Sequence, residues 1–183
     1  MCRVIVLVLA VLVAAVSPAR ANLVTNPGFE TCASGQAADW DPSTPNPDGF
    51  LCSSPSHTGS LAAQLVGAGS LSQLVPTIAG HSYDFAFWLS GSGGLNPGNS
   101  FSAIFDGTLV LALSNTTLAS YTLEEFTVIA SQTNERVVFS GFNATGQWSL
   151  DDVSVTEIAA PEPASLTLLA GGLVGLWRLR RRA

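Results

Sequence analysis

In a series of short runs between residues 83 and 155 the apolar side chains of this chain recur at every second position, a period that suits strands and not helices. Tyr83, Phe85, Phe87 and Leu89 alternate with Asp84, Ala86 and Trp88. Phe101, Ala103 and Phe105 alternate with Ser102 and Ile104, and Phe126, Val128 and Ala130 with Thr127 and Ile129. Val137 and Phe139, then Trp148 to Val155, complete the series. Successive strand side chains point to opposite faces, so each run offers one apolar face to a partner layer. Asp106-Gly107 is a hairpin turn leading into residues 108–113. Gly-, Ser- and Asn-rich stretches at 91–100 and 143–147 separate the runs, and Tyr121 is placed in a polar loop. No amphipathic helix and no internal repeat is found between residues 22 and 160. Short strands at turn-punctuated intervals predict an all-β, antiparallel sandwich.

The two ends have a different character. Arg3, an unbroken apolar run from Val4 to Val16, and Ala19-Arg20-Ala21 have the order of a secretory signal peptide, residues 1–21, cleaved after Ala21. At the other end, Pro161-Glu162-Pro163 precedes an apolar run, 164–177, and then Arg178, Arg180, Arg181 and Arg182. The prolines keep the approach non-helical, and the arginines resist translocation and act as a membrane stop. A membrane helix over 164–177 would be about 21 Å long against a hydrocarbon core of about 30 Å, so it needs a thinned bilayer or snorkelling at Arg178. This ordered tail, residues 161–183, resembles the PEP-CTERM sorting signal of bacterial exported proteins. The resemblance implies an exosortase as processing partner, transient membrane anchoring through the C-terminus, and a final location at the cell surface or in the extracellular matrix.

Between the ends, residues 22–160 form one domain-sized segment. It holds twelve acidic residues and a single base, Arg136, for a net charge of −11. Such a surface repels nucleic acid and anionic headgroups, leaving divalent cations and neutral polymers as partners. With Cys2 removed by cleavage, Cys32 and Cys52 remain as a pair in an oxidising compartment, which predicts a disulfide. Two free thiols serving as half of a metal site is the alternative.

The segment opens Asn22-Leu23-Val24-Thr25-Asn26-Pro27-Gly28-Phe29-Glu30 and closes Gln147-Trp148-Ser149-Leu150-Asp151-Asp152-Val153-Ser154-Val155. With Trp40, His57-Thr58-Gly59-Ser60 and the strand at Tyr83, these segments look like the galactose-binding-like jelly rolls of carbohydrate-binding modules. The resemblance implies a jelly-roll sandwich whose first and last strands lie close together and share a structural calcium. Carried onto this chain, Glu30 and Asp151 would give carboxylate oxygens and Gly28 and Gly59 carbonyl oxygens, a hard donor set that suits calcium. Strand alternation puts Asp151 on the side of Val153 and Val155, pointing inward, and Asp152 outward. Capping of backbone N–H groups without a metal is the competing role for Glu30 and Asp151.

Sugar-binding faces present aromatic platforms. Trp88, which faces away from the Tyr83, Phe85, Phe87 stripe, and Tyr121 are the candidates for ligand binding, with burial of Trp88 against a second sheet as the competing role. Trp40 and Trp148 fit packing positions. Nucleophile elbows, zinc-binding His-Glu pairs and phosphate loops are missing from the sequence. Glu124 and Glu125 are adjacent on a strand and face opposite ways, which spoils them as an acid–base pair. The expectation is an exported, non-catalytic surface or matrix protein that holds extracellular polysaccharide. A purely structural matrix component and a glycan-active hydrolase are the alternatives.

Overall fold

The computed structural model describes residues 20–42, 49–93 and 98–159. The signal peptide, Pro161-Glu162-Pro163, the helix expected at 164–177 and the terminal arginines lie outside these residues, apart from Arg20 and Ala21. Among the described residues no helix is long and apolar enough to cross a membrane.

Ten strands follow in chain order. They are β1 (Cys32–Ala33), β2 (Gln36–Ala37), β3 (Asp41–Pro42), β4 (Gly49–Ser53), β5 (Ala62–Val75), β6 (Ser82–Ser92), β7 (Asn99–Phe105), β8 (Thr108–Ser114), β9 (Leu118–Ile129) and β10 (Glu135–Glu157). Every pairing is antiparallel. The long strands β5 and β10 lie side by side and serve both layers of a jelly roll. In its first half β10 pairs with β7, from Val137 to Asn143, and β7 carries β8 at its far side. In its second half β10 pairs with β6, from Gln147 to Glu157, and β6 carries β9. On the other flank β3 joins the late part of β5 and β4 the early part.

The sandwich closes on phenylalanine. Phe85 and Phe87 of β6 meet Phe139 of β10 at ring-centre distances of 5.9 and 5.0 Å, and Phe87 meets Phe101 of β7 at 6.4 Å. All of these rings are buried, as are Tyr83, Leu89 and Phe105. Their sheer area makes them the main favourable term for this sandwich. Trp148 packs on Phe101 at 5.5 Å, and Trp40 lies between Phe29 and Phe139. A side chain at Gly91 would run into the Trp148 ring, so the glycine lets that indole lie flat under β6. The Asp106-Gly107 turn has positive φ at both residues, 51° and 69°, the geometry that twists correctly into a tight hairpin.

Several sequence expectations need correcting. Residues 143–147 do not separate two strands. They carry β10 from one layer to the other, with a change of register against β5 between Asn143 and Trp148. Asn143 makes this crossing possible by holding Ser92 O at 2.7 Å and Gly146 N–H at 2.9 Å with its own side chain. Likewise, Gly91 and Ser92 end β6 and do not begin a loop. Tyr121 is not in a loop but inside β9. The strands β4 and β5 were not legible as period-two runs.

The chain start runs beside the end of β10. Leu23 N–H donates to Val155 O at 2.9 Å, and Val153 N–H donates to Pro27 O at 3.0 Å. Asn22 extends this pairing through its side chain, donating to Val153 O and accepting from Val155 N–H. The expected disulfide is present: Cys32–Cys52 ties β1 to β4 across a separation of 20 residues.

Candidate functional site

The segment 54–61 crosses the outer side of the β6 layer and is held there by carboxylates. A bulge in β10 decides how. Asp151 pairs with Trp88 and Ser154 with Ala86, so two β10 residues, Asp152 and Val153, stand opposite Phe87 alone. Asp152 absorbs the extra residue with a left-handed φ of 46°. Alternation is therefore reset at this point. Leu150, Val153 and Val155 face the core, whereas Asp151 shares the outer side with Trp88. This corrects the expectation that Asp151 points inward beside Val153 and Val155.

Asp151 is nonetheless 0% exposed, because the crossing segment covers it. Its Oδ2 accepts from His57 N–H at 2.7 Å and Thr58 N–H at 3.1 Å, and Oδ1 accepts from Asp152 N–H at 2.8 Å. Asp152 takes the side chains of the same two residues: Oδ2 meets His57 Nδ1 at 2.7 Å and Oδ1 accepts from Thr58 Oγ1 at 2.6 Å. Glu30 holds the end of the segment, with Oε1 accepting from Ser60 N–H at 2.7 Å and Leu61 N–H at 2.9 Å. Gly59 has φ 63° and lies so close to Glu30 that a β-carbon there would overlap the carboxylate. Gly28 sits between the two sides: its β position is 3.7 Å from Asp151 Oδ1 and 3.9 Å from Glu30 Cγ. The structure thus brings Gly28, Glu30, Gly59 and Asp151 to one corner.

Burial pushes the Asp151 carboxyl up from its ordinary pKa, and the nearby Asp152 charge adds to this, against the opposing pull of the three N–H bonds. No basic side chain among the described residues forms an ion pair with Asp151. Among the same residues no group of three or more His, Cys, Asp or Glu side chains is arranged to hold a metal ion. Any cation here would depend on backbone carbonyls beside Glu30 and Asp151, a mixture calcium accepts.

Trp88 and Tyr121 come together on this outer face, joined by a residue that sequence reasoning did not propose for the site. The His57 imidazole stacks on Trp88 at 3.8 Å, nearly parallel, and meets Tyr121 at 5.4 Å. Tyr121 donates its hydroxyl to Pro55 O at 3.0 Å. Burial and the Asp151 charge push the Tyr121 phenol up. Both aromatics are half-buried and fasten the 54–61 segment, so the Trp88 face under His57 is already covered. A groove of ≈ 440 Å³ runs beyond Pro55, lined by Ser90, Ser92, Thr117, Gln147 and Ser149.

The opposite outer face, on the β7 layer, has another composition. Its rungs run Ser70, Ser140, Ser102, Ala112 and Ala68, Phe142, Ser100, Ser114 across β5, β10, β7 and β8. A groove of ≈ 360 Å³ lies along them, lined by Ser100, Ser102, Ser140, Gly69 and Phe142. Phe142 is 41% exposed. None of the groove's lining residues is charged, in a segment with twelve acids. Phe142 lay hidden in the sequence because it falls in a stretch rich in Gly, Asn and Ser, where no alternation marks a face.

This two-layer arrangement is a jelly roll similar in fold to those of carbohydrate-binding modules. A family 61 carbohydrate-binding module in complex with β-1,4-galactotriose superposes with a TM-score of 0.58 at 20% identity, covering 75% of this chain and 99% of the module. The family 22 xylan-binding domain of a Paenibacillus barcinonensis protein does so with a TM-score of 0.57 at 12% identity, covering 79% of this chain and 99% of that domain. The enzymatically active domain of tailspike protein 4 from bacteriophage CBA120 is similar with a TM-score of 0.54 at 13% identity, covering 75% of this chain and 21% of that one. Residues 159–182 match the PEP-CTERM protein-sorting motif, so the chain carries that motif immediately after its jelly roll. No curated protein matches the chain in sequence.

Proposed function

We propose that this is an exported, non-catalytic surface or matrix protein whose jelly roll holds a neutral extracellular polysaccharide in the Phe142 groove. The observation that carries the reading is the uncharged, serine-lined groove with a solvent-facing aromatic, on a segment that is otherwise strongly acidic. A pyranose ring offers C–H groups to Phe142 and hydroxyls to Ser100, Ser102 and Ser140. The galactotriose-bound and xylan-binding modules of the same fold support a β-linked neutral glycan as the ligand class. The sorting motif supports delivery outside the cell, with exosortase processing at Pro161-Glu162-Pro163 and the apolar stretch at 164–177 as a temporary anchor.

Affinity electrophoresis in gels containing galactan or xylan tests the glycan reading. Wild-type protein should be retarded, and Phe142→Ala should lose at least about tenfold in affinity, about 1.4 kcal/mol. Free migration in every neutral polysaccharide, or equal retardation of the variant, would overturn it.

A structural calcium ion at the Gly28, Glu30, Gly59, Asp151 corner belongs to the same proposal. What supports it is a buried carboxylate that no basic side chain pairs with among the described residues, near a second carboxylate whose Oε1 accepts from Ser60 and Leu61 N–H. Glu30 and Asp151 would be the charged ligands. The ion would supply a positive charge that offsets the cost of burying Asp151.

A further inference from the structure

Each layer of the sandwich has two edges, and natural sheets protect such edges against pairing with other chains. Three are protected here. The strand β3 is two residues long and ends in Pro42. The strand β4 is tied down by the Cys32–Cys52 bridge and runs into Pro55. The strand β9 carries Glu124 and Glu125, and Glu124 lies on its core-facing side, where burial pushes its carboxyl up.

The remaining edge is different. The strand β8 reads Thr108-Leu109-Val110-Leu111-Ala112-Leu113-Ser114, without charge or proline. Among the described strands it pairs with β7 alone. Its one protective device is a register shift between Ala103 and Ile104, which makes Val110 an extra residue. Beyond that bulge, Leu111–Ser114 pair regularly with Ser100–Ala103 of β7, and their outer side meets no other described strand. Leu109 is 57% exposed, and Leu111 and Leu113 are only partly covered by the core they touch.

We propose that β8 is a self-association edge, at which a second copy of this chain pairs antiparallel along Leu111–Ser114 and covers the leucines. A second copy fits because an antiparallel edge is complementary to itself about a twofold axis. It fits also because acidic copies repel one another over most of their surface, while this edge and the groove beside it are uncharged. The shared sorting motif would deliver every copy to one place, which raises local concentration. Pairing there would bring the two uncharged grooves edge to edge in one continuous sheet. The inference goes beyond the glycan reading and does not depend on it.

The test is sedimentation equilibrium on the protein exported by its native host, without polysaccharide, together with amide hydrogen exchange at low and high concentration. Wild-type protein should show a reversible monomer–dimer equilibrium, with the Leu111–Ser114 amides exchanging more slowly when concentrated. The double variant Leu109→Lys, Ser114→Lys brings like charges together across the axis and should weaken dimerisation at least about tenfold. Its melting temperature should match wild type. If it does not, the exchange pattern decides: concentration-dependent protection at β8 supports the edge, and protection at another strand overturns it. A wild-type protein that stays monomeric into the millimolar range, or a correctly folded double variant that still dimerises, also overturns it.

Discussion

Asp151 concentrates the physical tension of this molecule in one side chain. It accepts three backbone N–H groups and is itself fully covered, so removing it leaves three partly buried donors without their partner. Asp151→Ala should lower stability by about 2 kcal/mol, read from the denaturant midpoint, because donors left unpaired carry a desolvation cost. Its pH dependence has the opposite sign to that of a salt-bridged aspartate. The folded-state pKa is raised, so the favourable contribution of Asp151 is complete below the unfolded pKa and is lost as pH rises through the folded pKa. With chelator present, acidifying from neutral into the carboxylate range should therefore reduce the destabilisation due to this group. The wild-type melting curves should show a component of this sign that Asp151→Ala lacks. Calcium bound at Glu30 and Asp151 would hold the carboxylate ionised and flatten that component. Chelator should then lower the wild-type melting temperature and leave Asp151→Ala unchanged. A wild-type melt indifferent to chelator would mean that Glu30 and Asp151 act as caps only.

At the scale of elements, the decisive device is the β10 bulge, because it turns Asp151 to the outer face and presents Asp152 to His57 and Thr58. A left-handed backbone suits Asp, Asn or Gly and strains β-branched residues. Asp152→Val should cost about 2 kcal/mol or more, combining backbone strain with the lost His57 and Thr58 bonds. Asp152→Gly keeps the backbone and should cost less. Equal midpoints for the two variants in urea would show that the bulge is not under conformational control. The disulfide acts on a neighbouring element. It closes a loop across 20 residues that begins in β1 and holds β2, where the β1–β2 pairing is two residues long. Reduction should lower stability by about 3 kcal/mol in the chain-entropy description, measured as the shift in unfolding midpoint with and without reductant.

For the whole molecule, the jelly roll and its tail divide the work. Every core side chain described lies between Val24 and Val155, and the chain leaves the sheet at Glu157, directly before the sorting motif begins at residue 159. Pro161, Glu162 and Pro163 therefore follow the last strand closely in sequence, at the place where the proposed membrane protease would act. Replacing all three by alanine should abolish C-terminal processing without preventing export, checked by mass spectrometry of the mature C-terminus. A surface-located wild-type chain that still ends in Ala183 would sink the processing proposal.

The class of fold is legible in the order of residues alone. Alternation over Tyr83–Leu89, Phe101–Phe105 and Phe126–Ala130 is a local property of strands with one buried face, and the structure buries Tyr83, Phe85, Phe87, Leu89, Phe101 and Phe105 accordingly. The sorting motif and the cysteine pair were equally legible, since each depends on residue type and order. Which faces are covered, and by what, emerges only when the strands and the 54–61 segment pack together. Trp88 alternates as an outward residue, but only the packed segment 54–61 shows that His57 lies on its ring. One extra residue at Asp152 reversed the side of Asp151, because a period-two pattern carries no record of a bulge until a partner strand supplies the register. Phe142 sits within residues that read locally as a loop, and it became part of a groove only when β5, β7 and β8 were brought alongside. Edge position is likewise a property of the assembled sheet: nothing within residues 108–114 distinguishes a central strand from the exposed one that β8 proves to be.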